Sequence, residues 1–200
     1  MTDPSPPHPL LPVAIITGAS SGIGEETCRS LAGRFRTVLV ARRNDRLIAL
    51  QQSIRGLGGE ALAIPEDVTS VGAAQRIVAE AIAHFGGFDA VVNNAGIFEV
   101  CATSAITAEH IERLWRLNVL APMLLTQAAL PHLIARRSGT IVNVSSVAAE
   151  ASFAGCGVYS ATKAALESWS RVLREELRAT GVRVGVIAPG ATATAAWPSG

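Results

Sequence analysis

The chain has 200 residues, of which 49% are apolar and 16% charged, and this composition excludes a disordered protein. Seventeen basic and sixteen acidic residues give a net charge of +1, without the cationic surface that a nucleic-acid partner would require. Three well-separated cysteines (Cys28, Cys101 and Cys156) indicate reduced thiols. The composition predicts a soluble, cytoplasmic protein.

The first twelve residues contain five prolines and predict a disordered leader over residues 1–12, followed by a single domain over 13–200. No basic segment precedes an apolar run there, so a signal peptide is not expected. The longest uncharged stretch, residues 117–135, contains prolines and polar side chains. It is too polar for a bilayer and predicts a helix buried in protein, with no membrane partner.

Apolar runs alternate with amphipathic segments along the chain. The runs predict strands at 13–17, 37–41, 61–64, 89–93, 140–145 and 182–188. The segments between and after them predict helices at 22–34, 45–57, 71–85, 107–136 and 158–180. Strands that are apolar throughout are typical of a parallel sheet covered on both faces. The alternation predicts the α/β class, with a six-stranded, doubly wound parallel sheet in a Rossmann-like three-layer arrangement.

The first predicted strand ends in a glycine-rich turn, TGASSGIG over residues 17–24. Glycines there allow the backbone to approach a pyrophosphate, and the N–H groups at the start of the next helix face the anion. The spacing of Gly18, Gly22 and Gly24 differs from the commonest dinucleotide fingerprint. Glycines are also common in turns that bind no ligand, so the turn indicates a nucleotide site without proving one.

Two arginines, Arg42 and Arg43, follow the second predicted strand. In dinucleotide folds an acid near this point binds the ribose 2′-hydroxyl, whereas an arginine accommodates a 2′-phosphate. Ala41 occupies the place of an acid, and Ser21 stands where a basic residue is sometimes found in the turn. The pattern favours NADP(H) over NAD(H) and rests on Arg42, helped by Arg43. A solvated pair opening a surface loop is the alternative.

Further motifs follow in order: Asp67 in EDVT, NNAG at 93–96, Asn118 in RLNVLAP, Ser146 in NVSSVAA, the pair Tyr159 and Lys163 in YxxxK, and Pro189-Gly190. With the turn they make residues 13–194 similar to the short-chain dehydrogenase/reductase family. The resemblance implies a cofactor site formed by Gly18, Ser20, Ser21, Gly22, Ile23, Gly24, Arg42, Arg43, Asp67, Val68, Asn94, Ala95, Gly96, Tyr159, Lys163, Pro189, Gly190 and Thr192 or Thr194. Within it, Asp67 is expected to contact the adenine.

The resemblance also implies a catalytic group of Asn118, Ser146, Tyr159 and Lys163, with Ser145 as an alternative to Ser146. Tyr159 and Lys163 lie one helical turn apart and face the same way. The ammonium is expected to lower the tyrosine pKa so that the tyrosine can act as general acid and base. The resemblance further implies that Lys163 bonds the cofactor ribose. Ser146 is expected to bond the substrate oxygen, and Asn118 is expected to interrupt its helix and hold a water.

Each of these side chains has a simpler interpretation when it is considered alone. Tyr159 fits an amphipathic surface residue and Lys163 a solvated charge. Ser146 fits a loop cap and Asn118 a core amide. Their joint spacing and order favour the catalytic interpretation.

The substrate is expected to be a small ketone or secondary alcohol. Phe98, Val147, Phe153 and Trp197 predict an apolar pocket. Glu150 is either its one charged wall or a solvated loop acid. The four histidines, His8, His84, His110 and His132, lack metal-ligand spacing, so no metal site is predicted.

Members of the family usually continue past the Pro-Gly turn through a covering segment and a seventh strand, whereas this sequence ends at Gly200. We therefore expect an unpaired sheet edge and a wetter site. The alternatives to an active oxidoreductase are an NADP(H)-binding protein without turnover, as a sensor or assembly subunit, and an inactive truncated member. The apolar helices near 117–135 and after Tyr159 predict a homodimer rather than a tetramer, although both could be buried within one subunit.

Overall fold

The computed structural model describes residues 11–190 and 192. The leader over residues 1–10, Thr194 and Trp197 lie outside the described residues. The strands are β1 (Val13–Thr17), β2 (Arg36–Ala41), β3 (Ala61–Pro65), β4 (Ala90–Asn93), β5 (Gly139–Val144) and β6 (Val182–Ile187). The α-helices are α1 (Gly22–Leu31), α2 (Asn44–Gly56), α3 (Ala73–Phe85), α4 (Ala108–Trp115), α5 (Ala121–Ala135) and α6 (Gly157–Glu176).

The six strands form one parallel sheet in the order β3-β2-β1-β4-β5-β6. The predicted doubly wound α/β fold is therefore confirmed. Because β1 pairs with both β2 and β4, the strand order reverses beside β1. In such folds ligands bind outside the carboxyl ends of the strands, in the crevice at this reversal.

Apolar strands are explained by burial on both faces of the sheet. In β1, Val13 and Ile15 belong to the core layer that α3, α5 and α6 cover, whereas Ala14 and Ile16 belong to the layer under α1 and α2. All five residues of β1 are buried. Successive side chains of a strand point to opposite faces, so a strand covered by helices on both sides needs apolar residues at every position.

The helix boundaries differ from the predicted ones by a few residues. Helix α3 begins at Ala73 rather than Val71, because the preceding Gly72 has φ +74°, a left-handed conformation outside the helix. Helix α1 ends at Leu31, where Ala32 has already left helical geometry.

The predicted long helix over 107–136 is divided into α4, a π-helical turn at Arg116–Leu120, and α5. A π turn accommodates one more residue than an α turn, and it is frequent at functional sites.

The segment Ala108–Ala135 has a mean hydropathy of 1.4 and is, within the described part of the chain, the one helical segment long and apolar enough to cross a membrane. Forty-four per cent of that window is buried inside the fold. Leu125, Ala129 and Leu133 of α5 belong to the core, and α5 packs on α3 and the sheet. Core packing therefore accounts for the apolar character of α5.

Candidate functional site

A cavity of about 1100 Å³ opens at the carboxyl ends of the strands, where the strand order reverses. Of the residues predicted to bind the cofactor or act in catalysis, it is lined by Gly18, Ser20, Ser21, Gly22, Ile23, Arg42, Arg43, Asp67, Val68, Asn94, Ala95, Gly96, Ser146, Tyr159, Lys163, Pro189, Gly190 and Thr192. Two predicted residues, Gly24 and Asn118, do not line it and pack directly behind it.

Hydrogen bonds and close packing hold the glycine-rich turn against the residues that follow β4. Thr17 Oγ1 accepts hydrogen bonds from the amides of Asn94 and Ala95, both at 3.0 Å. Gly18 has φ +70°, and a Cβ there would lie 2.7 Å from Asn94 Nδ2 and 2.9 Å from Ala95 Cα. Only glycine satisfies both the left-handed conformation and the lack of space.

Gly24 has a packing role in this region. A Cβ on Gly24 would lie 2.5 Å from Asn94 Nδ2 and closer still to the Gly18 carbonyl oxygen. The turn can therefore approach β4 only if residue 24 has no side chain. Ser21, which precedes α1, makes no side-chain cap. The N–H groups of the first turn of α1 are consequently left for a ligand in the cavity.

The two arginines after β2 have different partners. Arg43 donates to Ser20 Oγ at 2.9 Å and to Ser21 Oγ at 2.9 Å, and so holds the glycine-rich turn. Arg42 lies near Asp67: burial opposes ionisation of that carboxyl, but hydrogen bonds from Thr69 and the charge of Arg42 bring the Asp67 pKa below its usual value. Among the described hydrogen bonds, Arg43 bonds the glycine-rich turn and Arg42 does not.

The first asparagine of the NNAG segment supports the sheet behind the cavity. Asn93 Nδ2 donates to Asn143 Oδ1 at 2.8 Å and to Thr126 Oγ1 at 3.0 Å. Asn143 Nδ2 in turn donates to Ser170 Oγ on α6 at 2.8 Å. All four side chains are buried, so this polar chain connects β4 and β5 to the helices that cover them.

Lys163 is buried next to Tyr159 on α6, with 5% of the residue exposed. Its Nζ donates to the Val144 carbonyl at 2.8 Å and lies over the Tyr159 ring, 5.8 Å from the ring centroid. Burial disfavours the charged form and lowers the pKa of Lys163 to about 8. The lysine is therefore a desolvated cation at the floor of the cavity rather than a solvated charge.

Burial raises the pKa of Tyr159, a hydrogen bond with Ser146 opposes the rise, and the nearby Cys156 adds to it. The prediction that the Tyr159 pKa is lowered is wrong, because desolvation of the phenol by burial dominates. The protonated phenol is the form that can donate a proton.

Ser146, rather than Ser145, is paired with Tyr159. The Ser146 hydroxyl also accepts the amide of Ala148 at 3.1 Å, and this bond fixes it at the start of a short 3₁₀ turn, Val147–Ala149. Ser145 Oγ is buried without a hydrogen-bond partner and borders the cavity. The choice between the two serines, open in the sequence, follows from the direction in which the chain leaves β5.

Asn118 lies in the π-helical turn and is 1% exposed. Its Oδ1 accepts the amide of Ile97 at 2.9 Å, while its Nδ2 donates to the Ile97 carbonyl at 3.0 Å and to Thr162 Oγ1 at 3.2 Å. A Cβ on Gly96 would lie 3.2 Å from Asn118 Oδ1 and 3.5 Å from Lys163 Nζ. The expected break in the helix is present, and the amide ties the loop after β4 to α6.

The charged wall of the cavity comes from α4 and from the first residue of the π-helical turn that follows it. The side chains that line it are Glu109, Glu112, Arg113 and Arg116. Their spacing of three and four residues places them on one helix face, a signal that could have identified them in the sequence. Glu150, considered as the charged wall, is instead an exposed loop acid that does not line the cavity.

Glu99, in the loop after β4, is held by this wall. Arg113 donates to both carboxylate oxygens of Glu99, at 2.6 and 3.2 Å, and His110 Nε2 lies 3.3 Å from Glu99 Oε2. One residue earlier, the Phe98 ring meets the Tyr159 ring edge-on, with centroids 5.0 Å apart. The predicted apolar residues Phe98, Val147 and Phe153 all line the cavity.

A sequence model of the short chain dehydrogenase family matches residues 12–199. The chain belongs to this family. Short-chain dehydrogenases are oxidoreductases that act on CH–OH and C=O groups of small molecules with a nicotinamide cofactor, and they are commonly oligomeric. The resemblance inferred from the motifs is thereby confirmed.

Relatives agree with this assignment in sequence. An uncharacterised oxidoreductase of Methylorubrum extorquens is 39% identical over 184 residues, which are 91% of this chain and 73% of that protein. The ketoacyl reductase HetN of a Nostoc species is 39% identical over 178 residues, which are 88% of this chain and 62% of HetN. The chain is thus similar to the larger part of longer short-chain dehydrogenases.

Solved structures of the family share the fold. A short-chain dehydrogenase from Streptomyces avermitilis superposes with a TM-score of 0.87 at 37% identity, covering 96% of this chain and 70% of that one. A metagenomic short-chain oxidoreductase in complex with NADP superposes with a TM-score of 0.86 at 35% identity, covering 90% of this chain and 83% of that one.

Proposed function

We propose that this short-chain dehydrogenase catalyses NADPH-dependent reduction of a ketone to a secondary alcohol, with Tyr159 as the proton donor. The observation that carries the proposal is the protonated, half-buried phenol of Tyr159, paired with Ser146 and covered by the buried Lys163, in the wall of the cavity. These three groups lie at the carboxyl end of β5, where Lys163 bonds the Val144 carbonyl, and they line the cavity outside the carboxyl ends of the strands, where such folds bind their ligands.

The residues that line the cavity support the binding of a nicotinamide dinucleotide. Gly18, Ser21 and Gly22 line the cavity beside the N-terminus of α1, where the helix N–H groups can bind the pyrophosphate. Asp67 is proposed to hold the adenine, and Lys163 the ribose near the nicotinamide. Pro189, Gly190 and Thr192 line the cavity after β6, at the opposite edge of the sheet from β3 and Asp67. When bound, the cofactor supplies or accepts the hydride.

The chain's own residues then orient the carbonyl and move one proton. Ser146 and Tyr159 donate hydrogen bonds to the substrate oxygen, as an oxyanion site does. Tyr159 transfers its proton to that oxygen as negative charge develops there. The Lys163 ammonium stabilises the phenolate left behind. Because burial raises the Tyr159 pKa, the resting site holds the proton that reduction consumes.

A preference for NADP(H) over NAD(H) is supported by Arg42. Its side chain lines the cavity after β2 and makes none of the bonds to the turn that occupy Arg43. A guanidinium there can form charge-assisted hydrogen bonds to a 2′-phosphate. The related metagenomic oxidoreductase bound to NADP agrees with this preference.

A ketone in an apolar environment is the substrate class that the pocket favours. Phe98, Val147 and Phe153 provide apolar surface on the substrate side. The relative HetN is named as a ketoacyl reductase, and its name agrees with a ketone as the reacting group. A panel of ketones that differ in size tests the pocket directly.

We further propose that the protein is a cytoplasmic homodimer. Ile111, Trp115, Leu120 and Leu124 are 39% to 47% exposed on α4, the π turn and α5. The extra residue of the π turn keeps them on one stripe, with spacings of four, five and four. An exposed apolar stripe favours association. Leu124→Glu should shift the protein from dimer to monomer in analytical ultracentrifugation, whereas an unchanged mass would contradict this interface.

The experiment that tests the function compares the native chain with Tyr159→Phe. Removing only the hydroxyl should lower kcat for ketone reduction by at least about 100-fold, while the dissociation constant for NADPH changes by less than about twofold. An unchanged kcat would contradict the proton-donor role. Saturable NADPH binding by the native chain, with no turnover of any ketone, would instead support a cofactor-binding protein without catalysis.

A further inference from the structure

Two of the three cysteines of the chain lie in the two loops that border the substrate side of the cavity. Cys101 ends the loop that follows β4, and Cys156 immediately precedes α6 and lines the cavity. They are 55 residues apart in sequence. We propose that Cys101 and Cys156 are a modification site that forms a reversible disulfide across these loops.

The proposal rests first on a backbone hydrogen bond. The amide of Cys101 donates to the carbonyl of Gly155 at 2.8 Å, and Gly155 is bonded directly to Cys156. A trans peptide keeps the Gly155 oxygen about 2.8 Å from the Cys156 Cα, and the hydrogen bond keeps it about 3.7 Å from the Cys101 Cα. The two Cα atoms are therefore no more than about 6.5 Å apart, within the range that a disulfide spans.

A second contact holds the same two segments together. A Cβ on Gly155 would lie 2.6 Å from Val100 Cγ1, and Gly155 has φ +77°. Because residue 155 has no side chain, Val100 can pack directly against its backbone, and the two loops approach closely. Neither cysteine is held by a strong competing bond: Cys101 Sγ makes one 3.6 Å contact to the Ala102 carbonyl, which a rotation about χ1 would break.

The exposures of the two thiols give the reaction an order. Cys101 is partly exposed, whereas Cys156 is 5% exposed. With a small disulfide such as oxidised glutathione as oxidant, the Cys101 thiolate attacks one glutathione sulfur and expels a glutathione thiolate. The Cys156 thiolate then attacks Cys101 Sγ and expels the second glutathione thiolate. The two cysteine protons go to solvent, and one molecule of oxidised glutathione becomes two of glutathione.

Cys28 provides an internal contrast. It is 0% exposed in the core layer under α1 and α2, and burial raises its pKa to about 12. A buried thiol of this kind carries almost no thiolate and is inert to exchange. The third cysteine should therefore remain reduced under conditions that join the other two.

The bond would connect the two walls of the substrate side. Upstream of Cys101 the loop contains Phe98, whose ring packs on Tyr159. Downstream of Cys156 the helix contains Tyr159 and Lys163. Oxidation therefore restrains the loop and the catalytic helix relative to each other. Because the disulfide is detected as a covalent bond, its absence can be distinguished from a failure of the proposed oxidoreductase activity.

The test treats the folded 200-residue chain with oxidised glutathione, then counts free thiols and maps the peptides by mass spectrometry. We expect two of the three thiols to disappear, the mass to fall by about 2 Da without retained glutathione, and one cross-linked peptide pair to contain Cys101 and Cys156. Dithiothreitol should restore all three thiols. Cys28→Ser should behave like the native chain, with two thiols lost.

The single variants test the order of attack. Cys156→Ser should accumulate a mixed disulfide of glutathione on Cys101, and Cys101→Ser should keep Cys156 free. If the native chain stops at that mixed disulfide, pairs Cys28, or links two chains, the proposal is wrong. The native-chain peptide map decides these outcomes even where a variant fails to fold.

Discussion

The cofactor side and the substrate side of the cavity are built in different ways. On the cofactor side, β1, its glycine-rich turn and α1 are consecutive in sequence, and their backbone packs against the Asn94 side chain, which donates to the Thr17 carbonyl. On the substrate side, the loop after β4 is joined to α4 and α6 by side chains that are distant in sequence, such as Glu99 with Arg113 and Phe98 with Tyr159. The first arrangement tolerates little change, whereas the second consists of separate contacts that can be altered one at a time.

The catalytic centre between the two sides differs from both because it contains a buried charge. Lys163 is charged near neutral pH in a buried position, and burial moves its pKa down to about 8. Burying a charge that is satisfied by little more than the Val144 carbonyl destabilises the folded state. We therefore expect substitutions in the closely packed cofactor side to lower the free energy of unfolding. Removal of the buried Lys163 charge should raise it.

Gly24→Ala should have the largest effect, because the added Cβ meets backbone and the fixed Asn94 amide. We expect the free energy of unfolding to fall by about 3 kcal/mol and NADPH binding to weaken at least about tenfold. Chemical denaturation and a fluorescence titration measure the two quantities. Gly56→Ala is the matched control: nothing lies within 4 Å of the added carbon, so it should be neutral or stabilise α2 by up to about 1 kcal/mol.

Lys163→Met should abolish catalysis and make the fold more stable at pH 7. The shift of the lysine pKa from 10.5 to about 8 corresponds to about 3 kcal/mol, and loss of the bond to Val144 offsets about 1 kcal/mol of it. We therefore expect a gain of about 2 kcal/mol in chemical denaturation. A less stable variant would contradict the assignment of Lys163 as a destabilising buried charge.

The same substitution has a predicted pH signature. Because the Lys163 pKa is lower in the folded than in the unfolded chain, the unfolded chain binds more protons between about pH 8 and 10.5. The native protein should therefore gain stability from this group as the pH rises through that window. The difference between the native chain and Lys163→Met should shrink from pH 8 to 10.5, and a constant difference would exclude the linkage.

Arg42→Ala and Arg43→Ala separate the two roles on the cofactor side. Loss of Arg42 should raise the NADPH dissociation constant by about tenfold, with less than a twofold change for NADH. Loss of Arg43, which holds Ser20 and Ser21, should weaken both cofactors by a similar factor. Titrations with both nucleotides provide the comparison. Equal losses for the two cofactors in Arg42→Ala would refute a contact to the 2′-phosphate.

Glu99→Gln should have the smallest effect, because the pair with Arg113 is partly exposed and screened by solvent. Stability should change by less than about 1 kcal/mol. The KM for the ketone should rise about threefold as the loop loosens, and NADPH binding should stay unchanged. Glu150→Gln, on an exposed acid outside the cavity, is the control. If Glu99→Gln weakened NADPH binding more than it raised the KM for the ketone, Glu99 would belong to the cofactor side of the cavity.

Much of the site could be predicted because its parts are local. The turn at 17–24 and the pair Tyr159 and Lys163 each lie within a few residues, on one turn or one helix face. The charged wall of α4 was missed because a helical stripe of acids and arginines is usually solvated. The loop after β4 meets that wall only in the folded chain, where Glu99 pairs with Arg113. The tyrosine pKa was predicted in the wrong direction because burial is a property of the folded chain.

The amino-acid sequence by itself determined the parallel sheet, the position of the nucleotide turn and the membership of the family. These features depend on apolar periodicity, on the positions of glycines and on short residue spacings, all of which are local patterns in the sequence. Only the tertiary structure decided that Ser146 faces Tyr159, that Arg43 holds the turn, and that Cys101 approaches Cys156. Those relations depend on how the strands bring distant loops to one edge of the sheet, which sequence separation does not reveal.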